Sequence, residues 1–149
     1  MNGHRVGIDR TGPCALAPMG RRDDGRRTES SRRLGHNTAA LLFHLWPGMS
    51  WLGVYLMERP DGDLVVGPFQ GKPACTRIRI GQGVVGTSAA TKSSLAVPNV
   101  SLFPGHIVCA PGSRSELVVP SVDGMHQVRA VWDIDSPNEI TLARSMTCS

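Results

Sequence analysis

Cys75 and Cys109 stand 34 residues apart, within GPFQGKPACTRIRIGQGVVGT and FPGHIVCAPGSRSELVVP, and the acid-bearing run VWDIDSP follows them. Two thiols set among carboxylates suggest redox chemistry. A thiolate can attack an electrophilic sulfur or oxygen, and a second thiol can then close a disulfide and regenerate the first. Cys109 is the better candidate nucleophile, in a loop seven residues before Glu116 with Arg114 nearby to favour a thiolate. The alternative for a cysteine in such a chain is a buried structural role. Cys14 and Cys148 fall in the least structured ends and are set aside. His106 and Cys109 have the spacing of metal ligands, yet no CxxC motif or second His/Cys pair completes a tetrahedral set. No metal is therefore expected, and His106 reads as a residue that shapes its loop. Taken as isolated residues, Glu116, Asp133 and Asp135 are solvated or salt-bridged acids near strand ends. Trp51 and Tyr55, four apart on a strand, are core or sheet-surface aromatics.

The elements that must position these groups belong to a modest chain. Its 149 residues, 40% of them apolar, suit a single globular domain. The formal charge of +4 is uneven: residues 1–38 hold eight arginines against four acids, and residues 39–149 balance eight basic residues with eight acidic ones. An Arg-rich head without interleaved aromatics reads as a solvated leader, not as a nucleic-acid-binding arm. No run approaches the roughly 20 apolar residues that span a bilayer, and Arg5, Asp9 and Arg10 interrupt any signal-peptide core. A cytoplasmic protein with reduced thiols is the expectation.

The pattern divides the chain into a disordered Arg-rich leader over 1–28, a domain over 29–137 and a short irregular tail over 138–149. A helix is predicted from Ser30 to Leu45, with Leu34, Leu41, Leu42 and Leu45 on one face, Gly35 weakening it and Pro47-Gly48 stopping it. Trp51–Met57 reads as a buried strand, Leu64–Val66 as its hairpin partner and Gly67–Lys72 as a loop. A half-exposed strand over Thr76–Ile80, a short helix over Thr87–Lys92 and a strand over Leu95–Pro98 follow. Glu116–Pro120 and Gln127–Asp133 flank the hairpin signal Asp123-Gly124. The sum is an α+β domain on an antiparallel sheet. Its long Gly- and Pro-rich connections, which carry both cysteines, fit a compact domain only if they build a site.

The segments WLGVYL, LVVGPFQGKPACTRI, GQGVVGTSAAT, FPGHIVCA, SRSELVVP and VWDIDSP resemble, in order and spacing, the GAF-fold free methionine-(R)-sulfoxide reductases over roughly residues 36–137. The resemblance implies a GAF-like antiparallel sheet with flanking helices and an enzyme that reduces free L-methionine (R)-sulfoxide. Cys109 matches the family's catalytic cysteine, whose thiolate attacks the sulfoxide sulfur while an acid protonates the oxygen, leaving a sulfenic acid. Cys75 matches the resolving cysteine, which closes a disulfide that a thioredoxin-type dithiol, fed by NADPH, reduces. No bound cofactor is implied. Glu116 matches an acidic residue counted with the catalytic groups, and Asp133 and Asp135 match acids that bind the substrate. Crowded carboxylates raise at least one pKa, keeping a proton available near neutrality. Trp51 and Tyr55 match aromatics that wall the methyl-sulfinyl end. The alternative is a GAF module that holds a small ligand without turning it over, or a truncated inactive homologue, because fold alone does not fix activity.

The chain departs from the family at several points. Val85 in GVVGTS replaces a third cysteine, and Ala110 follows Cys109 where an Asp is common. One extra residue between Glu116 and Asp133 must be absorbed at the turn if the strands are to keep their faces. After DIDSP the run Asn138–Ser149 lacks the pattern of the family's C-terminal helix, so apolar sheet surface is expected to be exposed or covered in a homodimer.

Overall fold

A computed structural model of the chain describes residues 25–59, 62–109 and 112–139. Most of the leader over 1–28 and the tail over 138–149, including the question of a C-terminal helix, lies outside the described residues. The elements are α1 (Gly25–Leu45), β1 (Trp51–Met57), β2 (Leu64–Gly71), β3 (Arg77–Ile78), α2 (Gly83–Thr91), β4 (Leu95–Val97), a 3-10 turn (Val100–Leu102), β5 (Ser115–Val122) and β6 (Val128–Ser136). The strands form one antiparallel sheet in the order β3-β2-β1-β6-β5-β4. The central strand β1 pairs on both edges, and its first five residues are buried, as a strand covered on both faces requires.

α1 begins at Gly25, inside the span read as leader, and ends where Trp46 donates its N–H to Leu42 and Gly48 turns at φ +97°. Of the predicted leucine face only Leu42 is half-buried. Leu34, Leu41 and Leu45 are 69, 57 and 64% exposed, whereas Gly35 and Ala39 are buried. Gly35 packs closely on the sheet: a Cβ there would sit 3.2 Å from Pro68 and 3.6 Å from Val54. Small residues let the helix approach the sheet closely, and Leu34, Leu41 and Leu45 are left roughly a third of a turn away.

β2 continues through Gly67-Pro68, where a loop was predicted. Gly53 pairs with Phe69 and Tyr55 with Val66, so Val54 faces both Gly67 and Pro68 across a β-bulge. A bulged residue leaves the ladder, so the missing N–H of proline costs nothing there. A side chain at 67 would collide with the Val54 carbonyl, 2.9 Å from an added Cβ. α2 starts at Gly83, four residues before the predicted Thr87, and its Val84, Val85 and Ala89 join the core with Trp51, Tyr55, Val118 and Val131.

In the β5–β6 hairpin the register runs unbroken from Ser115↔Ser136 to Ser121↔Ala130 and shifts only at Ser121/Val122. The irregularity thus lies at the hairpin end, where an extra residue can be absorbed and where Asp123 Oδ1 accepts from the N–H groups of Met125 and Gln127 at 2.9 and 3.0 Å. Everything on the Glu116 side of that shift keeps its face.

Candidate active site

Alternation along paired strands decides which side chains meet. Glu116 lies directly across from Asp135, Trp51 is Asp135's partner on the other side, and Asp133, two residues earlier on β6, faces Gly53 and Val118. The three acids, Trp51 and Tyr55 therefore share the sheet face opposite the one on which Val54 meets α1. α2 packs over the acid face against β5 and β6. A small cavity remains there, lined by Cys109, Ser113, Glu116, Asp133 and Asp135 together with Ile78, His106, Ile107 and the first residues of α2.

The acids are 5–6% exposed. Burial is the main reason that Glu116 is pushed up to about 8, reinforced by the charge of Asp135 and opposed by a hydrogen bond with Asp133. Asp133 is raised well above the carboxylate range, by burial first and then by the charges of Asp135 and Glu116. A hydrogen bond between Asp133 and Glu116 raises the first and lowers the second, so the two carboxyls share a proton. Burial raises Asp135 to about 7, with the Ser113 hydroxyl pulling the other way. Asp133 Oδ1 is buried with no hydrogen-bond partner. Near neutral pH the cluster holds protons, as the crowding of carboxylates predicts.

Cys75 and Cys109 form a disulfide with their Cα atoms 4.9 Å apart. Cys109 sits in a tight turn, its N–H donating to the Ile107 carbonyl at 2.9 Å. The following segment is pinned by main-chain bonds: Arg114 N–H donates to Ser136 at 2.7 Å and the Arg114 carbonyl accepts from Val100 at 2.9 Å. Arg114 thus acts through its backbone, and its residue is exposed. His106 lines the cavity, and partial burial lowers its pKa.

The structure brings together all seven residues singled out from the sequence, in two layers. Cys109, Glu116, Asp133 and Asp135 line the cavity. Trp51 and Tyr55, 1% and 0% exposed, lie in the core on the same sheet face, with their rings stacked 5.9 Å apart. Their polar ends reach the segment that carries Cys75: Trp51 Nε1 donates to the Lys72 carbonyl at 3.0 Å and the Tyr55 hydroxyl to the Cys75 carbonyl at 3.1 Å. Sequence reasoning missed Ser113 and the first turn of α2. The signal that could have found the latter is Gln82-Gly83, because glycine is tolerated at a helix start.

A six-stranded antiparallel sheet with α1 on one face and a cavity under α2 on the other is the architecture of the GAF fold. No family model matches the chain. It is 49% identical over 102 residues to Protein YtsP of Bacillus subtilis, covering 68% of this chain and 61% of that protein. With the free methionine-R-sulfoxide reductase of Escherichia coli the identity is 47% over 100 residues, 67% of this chain and 59% of the relative. The solved structure of the reduced form of fRMsr from Staphylococcus aureus superposes with a TM-score of 0.69 at 39% identity, covering 74% of this chain and 70% of that one. The chain belongs to the GAF-fold free methionine-R-sulfoxide reductase family. It spans about three-fifths of the length of the curated relatives it matches.

Proposed function

We propose that the chain reduces free methionine-(R)-sulfoxide to methionine with its own dithiol. The observation that carries this reading is the Cys75–Cys109 disulfide beside a cavity walled by three proton-holding carboxyls. Cys109 attacks the sulfoxide sulfur as a thiolate. The sulfoxide oxygen takes a proton from the acid cluster, and the oxygen atom ends on sulfur as a Cys109 sulfenic acid while methionine leaves. Glu116, raised to about 8, is mostly protonated at neutral pH and can give that proton. Asp135, at about 7, ionises most readily and suits the substrate's ammonium, and the unpartnered Asp133 Oδ1 offers a second acceptor. The Cys75 thiol then displaces water from the sulfenic acid, forming the disulfide. An external thioredoxin-type dithiol, itself reduced at the expense of NADPH, restores both thiols. Naming of two relatives as free methionine-R-sulfoxide reductases supports the substrate. Among the described residues no helix is long and apolar enough to cross a membrane.

The test is a thioredoxin-coupled NADPH oxidation assay on the purified chain with the separate R and S epimers of free methionine sulfoxide. Turnover should be confined to the R epimer and absent in Cys109→Ser. A chain that is folded by circular dichroism yet turns over neither epimer would be a ligand-binding module.

A further inference from the structure

Trp51 and Tyr55 lie four residues apart on one face of β1 and grip both ends of the short Lys72–Cys75 segment through hydrogen bonds of 3.0 and 3.1 Å. A third tether follows at once, from Val66 N–H to the Thr76 carbonyl at 3.0 Å. The segment has no helix or strand of its own, and its cysteine must meet Cys109, which sits in a separate loop 34 residues on. Closure of the disulfide therefore depends on how firmly the Cys75 backbone is held. Tyr55 is fully buried, and its ring is fixed by stacking on Trp51, which itself stacks on Phe69. Its hydroxyl is consequently delivered to one place, the carbonyl of Cys75 itself.

We propose that Tyr55 is a positioning residue for the resolving cysteine: its hydroxyl, donated to the Cys75 carbonyl, holds the segment where the Cys75 sulfur reaches Cys109. Burial and the surrounding charges of Asp133, Asp135 and Glu116 push the phenol well above the ordinary tyrosine range, so it stays a donor throughout the working pH range. The role belongs to the second half of the cycle, in which Cys109 sulfenic acid and the Cys75 thiol give the disulfide and water. It rests on the dithiol reading given above, but its test does not need methionine sulfoxide.

The reduced full-length chain is oxidised with hydrogen peroxide, which transfers one oxygen atom to the Cys109 thiolate and leaves as water. Sulfenic acid is trapped with dimedone at successive times, and disulfide and adduct are counted by mass spectrometry. Removing one hydrogen bond should slow closure in Tyr55→Phe by about three- to tenfold, with sulfenic acid accumulating on Cys109. Closure at the wild-type rate in a folded Tyr55→Phe protein would overturn the proposal and leave Tyr55 as a core aromatic. Should the phenylalanine variant fail to fold, 3-fluorotyrosine at position 55 keeps the ring and strengthens the donor. Faster closure is then expected, and an unchanged rate overturns the proposal. Failure of methionine sulfoxide turnover alongside intact peroxide-driven effects would refute the substrate assignment and not this one.

Discussion

Strands β1, β5 and β6 each present one row of side chains to the cavity and the next row to the opposite face of the sheet, and the two rows are built differently. The cavity row packs Trp51, Tyr55, Glu116, Asp133 and Asp135 under α2 and the Cys75–Cys109 bridge, with burial of 6% exposure or less for each. The opposite row, Leu52 and Val54 with Trp132 and Ile134, is apolar, and the helix on its β1–β2 side contributes Gly35 and Ala39 while Leu34, Leu41 and Leu45 stay exposed. On the first face polar groups are held in the dry and their protonation is altered. On the second, close contact between backbones does the packing. Function collects where burial has an electrostatic cost, because that cost is what shifts a carboxyl toward neutrality.

The largest way to break this contrast is at Gly53, the one position in β1's cavity row without a side chain. A Cβ there would lie 2.5 Å from both Phe69 and the Trp51 ring. Gly53→Val should destabilise the chain by about 3 kcal/mol in urea unfolding, the upper end of ordinary overpacking, and should cost disulfide closure along with it. Stability within error of wild type would mean that the Trp51 and Phe69 rings are free to move aside.

A smaller, graded effect should come from pH. Glu116 moves from 4.5 to about 8 on folding and Asp135 from 3.8 to about 7. A raised folded pKa means that the native state holds protons which the unfolded chain releases. The stabilisation is complete below the unfolded values and disappears as pH climbs through 7 and 8. The melting temperature should therefore drop by several degrees between pH 5 and pH 8.5, and turnover should decline above pH 8 as Glu116 loses its proton. Asp123 in the exposed hairpin has the opposite sign, because its backbone hydrogen bond from Gln127 lowers it. The Glu116→Gln variant, which cannot ionise, should show a flatter melting profile over the same range. A profile that rises with pH would contradict the proton-holding cluster.

How far these two faces can be read from the sequence differs in the same way. The cavity row was legible because chemistry marks it: cysteines in Gly-Pro loops and acids spaced by two in DID, whose strand period puts Asp133 and Asp135 on one face. The outer row was misread because hydrophobicity was taken to mean contact. In α1 Leu34, Leu41 and Leu45 form a stripe, but the sheet surface beneath is shaped by a bulge at Gly67-Pro68, and it is Gly35 that packs against Pro68. That bulge was itself invisible, since Gly-Pro reads locally as a loop and only the partner strand β1 reveals that pairing resumes at Phe69. Likewise, the sequence marks Trp51 and Tyr55 as aromatics but not the direction of their polar ends. Which carbonyls they meet depends on a loop that returns 20 residues later.

The finest test asks which stripe of α1 carries its packing. Ala39 is fully buried on the helix, whereas Leu41 is 57% exposed two residues on. If the small-residue stripe faces the sheet, Ala39→Leu forces three extra carbons into a filled contact and should cost about 1–3 kcal/mol. Leu41→Gln replaces an exposed side chain with one of similar length and helix propensity, so its effect should stay within about 0.5 kcal/mol. The two changes are made in the same helix and measured in the same urea titration, which removes any common influence of helix propensity on the comparison. A Leu41→Gln cost approaching that of a buried leucine would mean that the exposed stripe is covered in solution. Dependence of that cost on protein concentration would identify the cover as a second copy, while independence would assign it to residues of the same chain.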